Sequence, residues 1–269
     1  MASKKKSVEE CTIKELKDRF INGFTIISKN RNYHEVWSDL IVMFSISIYN
    51  PLLKNFLSRS NSAMKVWEVN EKRYLSIINK YDKQEQNIIV QMFSILIMIY
   101  QKMQESNEYC DLLGDIYMNL KISSNNLGQF FTPYDVSFAM AKVTIDKNNI
   151  KNAVKEKGYA IINDCACGAG CTLMAGYSVA SKLFNRLNPQ ECLYIVANDI
   201  DEIAARMCYI QLSLIPVAAK VTISNSLNEP IVNDVNRVMY THLNFINSFS
   251  VRKETNPCNL FVYEDLKNN

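Results

Sequence analysis

Two patterns of apolar and polar residues divide the chain near residue 125. Before this point apolar residues recur at helical spacing, and Gly and Pro are almost absent. The spacing predicts helices over residues 34–49, 85–104 and 109–120, with Pro51 ending the first of them. We therefore expect residues 1–125 to form a helical N-terminal domain without a catalytic motif of its own.

A further helix is predicted to begin shortly after this division. Thr132 is a good N-cap residue, and Pro133 suits the first helical position. The apolar residues that follow recur at i, i+3, i+4 and i+7, which predicts one buried helix face. That face would consist of Val136, Ala139, Met140 and Val143.

Short apolar runs alternate with helical segments after residue 158. Strands are predicted over residues 159–162, 193–197 and 220–223, and helices over 172–183 and 202–214. This alternation is typical of a parallel, doubly wound sheet, so we expect residues 126–269 to form an α/β domain. Two more short apolar runs, 238–240 and 260–263, are candidate strands of the same sheet.

Composition narrows the class of protein without deciding it. With 48% hydrophobic residues the 269-residue chain can bury a core, and its net charge of +3 permits a nucleic-acid partner without demanding one. The polar N-terminus lacks the pattern of a signal peptide, so we expect a cytoplasmic protein with free cysteine thiols. The longest apolar stretch, 88–100, is shorter than the roughly 20 residues of a membrane span, and no membrane partner is expected.

The strongest chemical signal is a Gly-rich turn, residues 164–170, between the first predicted strand and its helix. Gly168 and Gly170 lack a Cβ atom, so the backbone can turn tightly and approach a ligand. Nucleotide cofactors bind at such strand ends, where the following helix offers unpaired N–H groups. The glycine spacing does not match the dinucleotide motif, and no Lys follows as in a phosphate loop. The turn therefore disfavours NAD and ATP.

Polar residues also follow the next two predicted strands. Asp199 is placed to accept hydrogen bonds from ribose hydroxyls, and Asn225 to contact the amino group of an adenine. Three polar groups at the ends of three successive parallel strands would surround one ligand. The alternative is that Asp199 is an ordinary acid at a helix N-terminus and Asn225 a turn residue.

Three cysteines around this turn raise the alternative of a zinc site. The spacing of Cys165, Cys167 and Cys171 differs from the paired spacing of zinc ligands, and no fourth ligand is near them in the sequence. Small residues are also needed in the turn for space. We therefore expect no bound metal.

Four segments resemble motifs of the N6-adenine DNA methyltransferases, especially the modification subunits of type I restriction–modification systems and their phage relatives. They are residues 128–133 (Gly-Gln-Phe-Phe-Thr-Pro), 164–170, 198–201 (Asn-Asp-Ile-Asp) and 225–227 (Asn-Ser-Leu). In the second segment Cys165 replaces the family's Pro, and Ala169 replaces its Ser. The segments follow the family's order and spacing over roughly residues 110–230.

This resemblance implies a Rossmann-like sheet, S-adenosylmethionine as cofactor, and methyl transfer to adenine N6 in DNA. It implies DNA and a specificity subunit or another protein as partners. In the family the Thr of the first motif contacts the methionine end of the cofactor, a role that would fall to Thr132. The implied cofactor-binding residues are Phe130, Thr132, Pro133, Asp164, Cys165, Ala166, Gly168, Gly170, Asp199, Ile200 and Asn225.

The sequence departs from the family at the catalytic motif, Asn-Pro-Pro-Tyr or Asn-Pro-Pro-Phe. That motif holds the amino group of the target base and stacks on its flipped ring. The nearest match is Asn-Pro-Cys at 256–258, which lacks the second Pro and the aromatic residue. By distance from Asn225, Tyr240 is a weak candidate for stacking and His242 for hydrogen bonding. Core packing of Tyr240 and a surface His242 are the more ordinary interpretation.

This departure leaves more than one function open. The first is an adenine-N6 DNA methyltransferase or modification subunit, and the second is a catalytically silent relative that binds cofactor, DNA or a protein partner. A third is transfer to another acceptor, such as RNA, protein or a small molecule. Only 44 residues follow Asn225, fewer than a completed sheet and a target-recognition domain need. DNA specificity would therefore come from a partner subunit or the helical half.

Overall fold

The computed structural model describes residues 10–120, 122, 131–183 and 189–246. Local capping signals define the starts of the first helices. Thr12 and Glu15 form a capping box at one N-terminus, and Asp82 and Glu85 form another. The helices of this half are α1 (Ile13–Ile27), α2 (Tyr33–Phe56), α3 (Asn61–Ile78), α4 (Lys83–Ser106) and α5 (Leu112–Asn119).

Helix α2 corrects the prediction that Pro51 ends the first helix. The helix continues through Pro51 to Phe56. A proline inside a helix costs about 3 kcal/mol, because it removes a hydrogen bond and crowds the preceding turn. Leu52 and Leu53 are both buried, and burying a leucine side chain contributes about 1.5–3 kcal/mol. Two buried leucines therefore offset the cost of the proline.

Helix α2 is long and apolar, and it contains a longer apolar window than the stretch 88–100 within α4. By length and composition alone, α2 is the one described helix that could cross a membrane. Within the protein, 78% of its most apolar window is buried. It is therefore placed as the central helix of the core.

The second half alternates helices with the strands of one sheet, so the fold is mixed α/β. Its elements are α6 (Tyr134–Thr144), α7 (Lys147–Lys157), β1 (Ala160–Asp164), α8 (Cys171–Leu183), α9 (Pro189–Cys192), β2 (Leu193–Asp199), α10 (Glu202–Ser213), β3 (Ala218–Ile223), a 3-10 turn (Val235–Arg237), β4 (Val238–Tyr240) and α11 (Leu243–Ile246). The predicted strands are confirmed with shifted ends, except 260–263, which lies outside the described residues.

Helix α6 begins one residue later than predicted and buries a different face. Pro133 is the N-cap, so Thr132 is not, and among the described residues no side-chain hydrogen bond caps this end. The predicted face is exposed, with Val143 87% accessible, whereas Ser137 and Ala141 are buried. These small side chains let α6 pack closely on α8, where Ala141 meets Ala175 and Val179 in one cluster.

The sheet has the strand order β1-β2-β3-β4. Strands β1, β2 and β3 are parallel, as predicted, and β4 pairs antiparallel with β3. Because parallel strands share a direction, β1, β2 and β3 end at the same edge, which we call the carboxyl edge. The segments that follow these three strands therefore meet there.

The two faces of the sheet are covered differently. The face with Ile162 and Ile195 packs into the main core, where α8 and α10 also lie. On the opposite face, Tyr194 packs near Leu243 of the short α11, while Ile161 is 52% exposed. Within the described ranges, long helices thus cover one face rather than both, and the predicted doubly wound arrangement is only partly present.

The helical half packs directly on α10. The Trp37 indole nitrogen lies 3.4 Å from the sulfur of Met207, and the Arg206 guanidinium donates to the Ser45 hydroxyl at 2.8 Å. Arg206 is buried and forms an ion pair with Glu202, at 2.7 Å. One buried apolar cluster contains residues from before and after position 125, so the helical half is a fixed neighbour of the sheet.

Candidate functional site

The Gly-rich turn leaves β1 at the carboxyl edge and leads into α8. Gly168 and Gly170 have φ angles of +54° and +100°, a region that favours glycine. The Gly170 N–H donates to the Cys167 carbonyl at 2.8 Å, which closes the turn. The Cys167 N–H donates to the carbonyl of Asn198 on β2, also at 2.8 Å. The turn is therefore anchored to the end of the neighbouring strand.

Asp164 shapes the beginning of this turn. One of its carboxylate oxygens accepts the Ala166 N–H at 3.0 Å, and the other accepts the Thr172 hydroxyl. These bonds join the end of β1 to the first turn of α8. Between them, Cys165 and Ala166 are exposed, so the outer surface of the turn is accessible to a ligand.

Asp199 brings the ends of β1 and β2 together. Its Oδ2 accepts the Gly168 N–H at 2.7 Å, and its Oδ1 accepts the Asp201 N–H at 2.9 Å. A carboxylate has about four acceptor positions, so two bonds leave capacity for a ligand. The structure thus places the turn and the acid in direct contact. The carboxylate also holds two backbone N–H groups, a structural role that the sequence did not reveal.

Two neighbouring residues extend the surface at this edge. Ile200, directly after the acid, is 69% exposed, which provides apolar surface beside the carboxylate. Asn225 follows β3, but its Oδ1 accepts the N–H groups of Leu227 and Asn228, at 3.0 and 3.3 Å. Asn225 thus has the turn role that the sequence left open as the alternative.

The segment before α6 lies over the turn. A Cβ atom at position 168 would lie 3.1 Å from Cδ1 of Phe131, so the Phe131 ring covers Gly168. The same ring lies 5.3 Å from that of Tyr117 on α5. Phe131 was not among the predicted contacts. Phe130 and Phe131 are adjacent and identical, so the sequence gives no signal that tells which of them contacts the turn. Phe130 lies outside the described residues.

A cavity of about 370 Å³ lies between α5 and this segment. Its lining includes Thr132 and Pro133, together with the carboxylate residues Asp111 and Asp115. Asp164, Asp199 and Asn225 do not line it. The predicted site residues thus fall into two groups, one at the cavity and one at the carboxyl edge. Phe131 adjoins both, since it lines the cavity and covers Gly168.

A family model described as N-6 DNA Methylase matches residues 107–257, which is more than half of the chain. The chain belongs to this family. No curated protein and no solved structure matches it. The matched range contains the turn, the acid and the segment over Gly168, so the geometry described above lies within the methylase region.

The two weak catalytic candidates of this family member lie away from the carboxyl edge. Tyr240 pairs with Lys220 in the first half of β3, and the Thr241 N–H donates to the Ala219 carbonyl at 3.0 Å. Because β4 is antiparallel, its end lies at the opposite edge of the sheet. The structure therefore does not bring Tyr240 or His242 to the turn.

The surroundings of these two residues agree with the ordinary interpretation. Tyr240 is buried beside Val232 and Phe245, and burial raises the pKa of its hydroxyl. His242 is exposed, its ring lies 5.8 Å from that of Phe56, and partial burial lowers its pKa. The segment 256–258 lies outside the described residues. No catalytic group for the methylase is thus identified among the described ones.

The cysteines of the turn differ in exposure. Cys165 is exposed, whereas Cys167 and Cys171 are buried. A hydrogen bond with Cys208 and burial together raise the pKa of the Cys167 thiol. Among the described residues, no group of three or more His, Cys, Asp or Glu side chains is arranged to hold a metal ion.

Proposed function

We propose that this protein binds S-adenosylmethionine at the carboxyl edge and acts as an adenine-N6 DNA methyltransferase or as its modification subunit. The contact between the Asp199 carboxylate and the Gly168 N–H carries the proposal. It joins an acid and a Gly-rich turn at the ends of adjacent parallel strands, the arrangement in which Rossmann-like sheets bind nucleotide cofactors.

The residues at this edge have the chemistry that the cofactor requires. Asp199 retains acceptor capacity for ribose hydroxyls, and the exposed Ile200 offers an apolar surface to a purine ring. Thr132 lines the cavity beside Phe131, where the methionine end would be held. When bound, the cofactor supplies a methyl group already activated on a sulfonium. The protein's contribution is then mainly to position the acceptor.

Two measurements test this proposal. Isothermal titration calorimetry with S-adenosylmethionine measures binding, and labelled cofactor with duplex DNA measures methyl transfer to adenine. Saturable binding together with label in N6-methyladenine is the expected result. Absence of cofactor binding by the folded protein would overturn the proposal.

A catalytically silent methylase is the second candidate. It is favoured by the absence of an Asn-Pro-Pro-aromatic motif from the sequence and by the position of Tyr240 and His242 at the opposite edge of the sheet. This candidate predicts that the protein binds cofactor but transfers no methyl group to DNA, RNA or protein. Incorporation into any of these acceptors would exclude it and identify the acceptor.

We further propose that DNA specificity comes from a partner, as in restriction–modification systems, and that the protein works in the cytoplasm. The net charge of +3 is small for a protein that holds DNA by itself. Co-purification of the tagged protein with a second subunit, followed by the methyl-transfer assay on that complex, tests the need for a partner. Full activity of the isolated chain on duplex DNA would contradict it.

A further inference from the structure

A buried glutamine joins the Gly-rich turn to the helical half. Gln211, on α10, is fully buried. Its amide nitrogen donates to the Ala169 carbonyl and to Asp111 Oδ1, both at 2.7 Å. Its Oε1 accepts the Tyr100 hydroxyl at 2.6 Å and the Leu113 N–H at 3.2 Å. All four hydrogen-bonding positions of the amide are therefore used.

The partners of Gln211 also fix the orientation of its amide. Two of them, the Ala169 carbonyl and the Asp111 carboxylate, are acceptors, and the Leu113 N–H can only donate. A rotation that exchanged the amide oxygen and nitrogen would place the oxygen against the two acceptors and the nitrogen against the Leu113 N–H. The arrangement therefore has one stable orientation.

Asp111 ties this amide to α5. Its Oδ1 accepts the Gly114 N–H at 2.9 Å as the N-cap of the helix. Burial raises the pKa of the Asp111 carboxyl, and its bonds with Gln211 and Gly114 act in the opposite direction. The same carboxylate thus caps a helix and holds the amide that reaches the turn.

The contacted carbonyl belongs to the peptide that joins Ala169 to Gly170. Ala169 lies between Gly168 and Gly170, which both have positive φ angles. Glycines tolerate a wide range of backbone angles, so local sterics do little to hold this peptide. A rotation of the Ala169–Gly170 peptide would redirect its carbonyl and disturb the Gly170 N–H bond that closes the turn. The bond from Gln211 opposes that rotation.

We infer that Gln211 is a positioning residue for the cofactor turn. It holds the Ala169 carbonyl inward, and thereby keeps the Gly168 N–H on Asp199 and the outer face of the turn in the shape that receives the cofactor. Through Asp111 and Tyr100 it makes that shape depend on the packing of the helical half against α10. The inference rests on the proposed cofactor site at the carboxyl edge.

The test compares two variants of the full chain. Gln211→Met keeps a similar volume but removes all four hydrogen bonds. The control, Tyr49→Phe, removes another buried hydrogen bond between the two halves, from the Tyr49 hydroxyl to the Val238 carbonyl at 3.2 Å, away from the turn. Urea unfolding of each variant is measured at one chosen temperature and verifies that every protein is fully folded there without urea. Hydrogen–deuterium exchange of the turn and titration with S-adenosylmethionine are then measured at that temperature.

The expected result is faster exchange in the turn of Gln211→Met, by about tenfold, with a cofactor Kd raised by about tenfold. Tyr49→Phe should match the parent in both measurements. If exchange in the turn of Gln211→Met equals that of the parent, the inference is wrong. If exchange rises but the Kd is unchanged, a purely structural role is shown and the inference is also overturned. If the parent itself binds no cofactor, the proposed function fails, and the positioning role fails with it even where exchange rises.

Discussion

Replacing Asp199 by Ala separates the ligand role of this acid from its structural role. The change removes the acceptor of the Gly168 and Asp201 N–H groups, at 2.7 and 2.9 Å. It also removes the acceptor proposed for the ribose hydroxyls. Loss of charge-assisted hydrogen bonds to a ligand costs about 1–3 kcal/mol, which raises the Kd for S-adenosylmethionine by about 5- to 150-fold.

The matched control for this change is Asp201→Ala. Asp201 is the N-cap of α10 and accepts the Ala204 N–H at 2.7 Å, and the loss of such a cap costs about 1 kcal/mol of stability. Asp199→Ala also lowers stability by about 1–2 kcal/mol, because two backbone N–H groups lose their acceptor. The two variants should therefore unfold at similar urea concentrations.

Titration calorimetry on the folded variants distinguishes the two effects. We expect Asp201→Ala to retain the affinity of the parent to within about threefold, since its side chain caps α10 through the Ala204 N–H. Asp199→Ala should bind far more weakly. Equal affinities of Asp199→Ala and the parent would refute the assignment of the carboxyl edge as the cofactor site.

Three further predictions follow from the described contacts. Gly168→Ala should lower stability by about 1–3 kcal/mol in urea unfolding and weaken cofactor binding, because its φ is +54° and its Cβ would press on Phe131. Met140→Lys on the exposed face of α6 should change the unfolding free energy by less than about 0.5 kcal/mol, whereas Ala141→Lys on its buried face should cost several-fold more. Equal effects of the two changes would contradict the burial of Ala141. Burial acts to raise the pKa of Glu202, but nearby arginines outweigh it and lower the pKa, so the carboxylate stabilises the fold at neutral pH and this contribution is lost as the pH falls below the usual glutamate range. Glu202→Gln should therefore lower the unfolding free energy by about 1 kcal/mol at about pH 7, after allowance for solvent. A loss of stability that grows towards about pH 4 would contradict this.

Local signals were sufficient to locate the strands of the sheet and the helices α8 and α10 between them. Gly168 and Gly170 marked the turn, and the apolar runs before it and before Asp199 marked two parallel strands. These features depend on residues adjacent in sequence, so a single chain reveals them. The family also follows from such ordered motifs, which lie within the matched range.

Local signals misled where two interpretations fit the same spacing. On α6, the sets containing Met140 and Ala141 both recur at helical spacing, and the more apolar set was expected inside. The tight packing of α6 on α8 instead placed small residues inside. Pro51 signals a helix end, but the burial of leucines beyond it decides otherwise. In both cases contacts with distant residues outweigh local preference.

The sequence by itself therefore determined the parallel strands with the helices between them, the turn and the acid that follow β1 and β2, and the absence of the family's catalytic motif. Only the tertiary structure decided which of these residues meet. It joined Asp199 to Gly168, directed Asn225 into its own loop, and put Tyr240 at the opposite edge of the sheet. It also linked the turn to the helical half through Gln211. The physical reason is that strand direction and buried hydrogen bonds depend on partners far apart in the chain, which periodicity and short motifs do not specify.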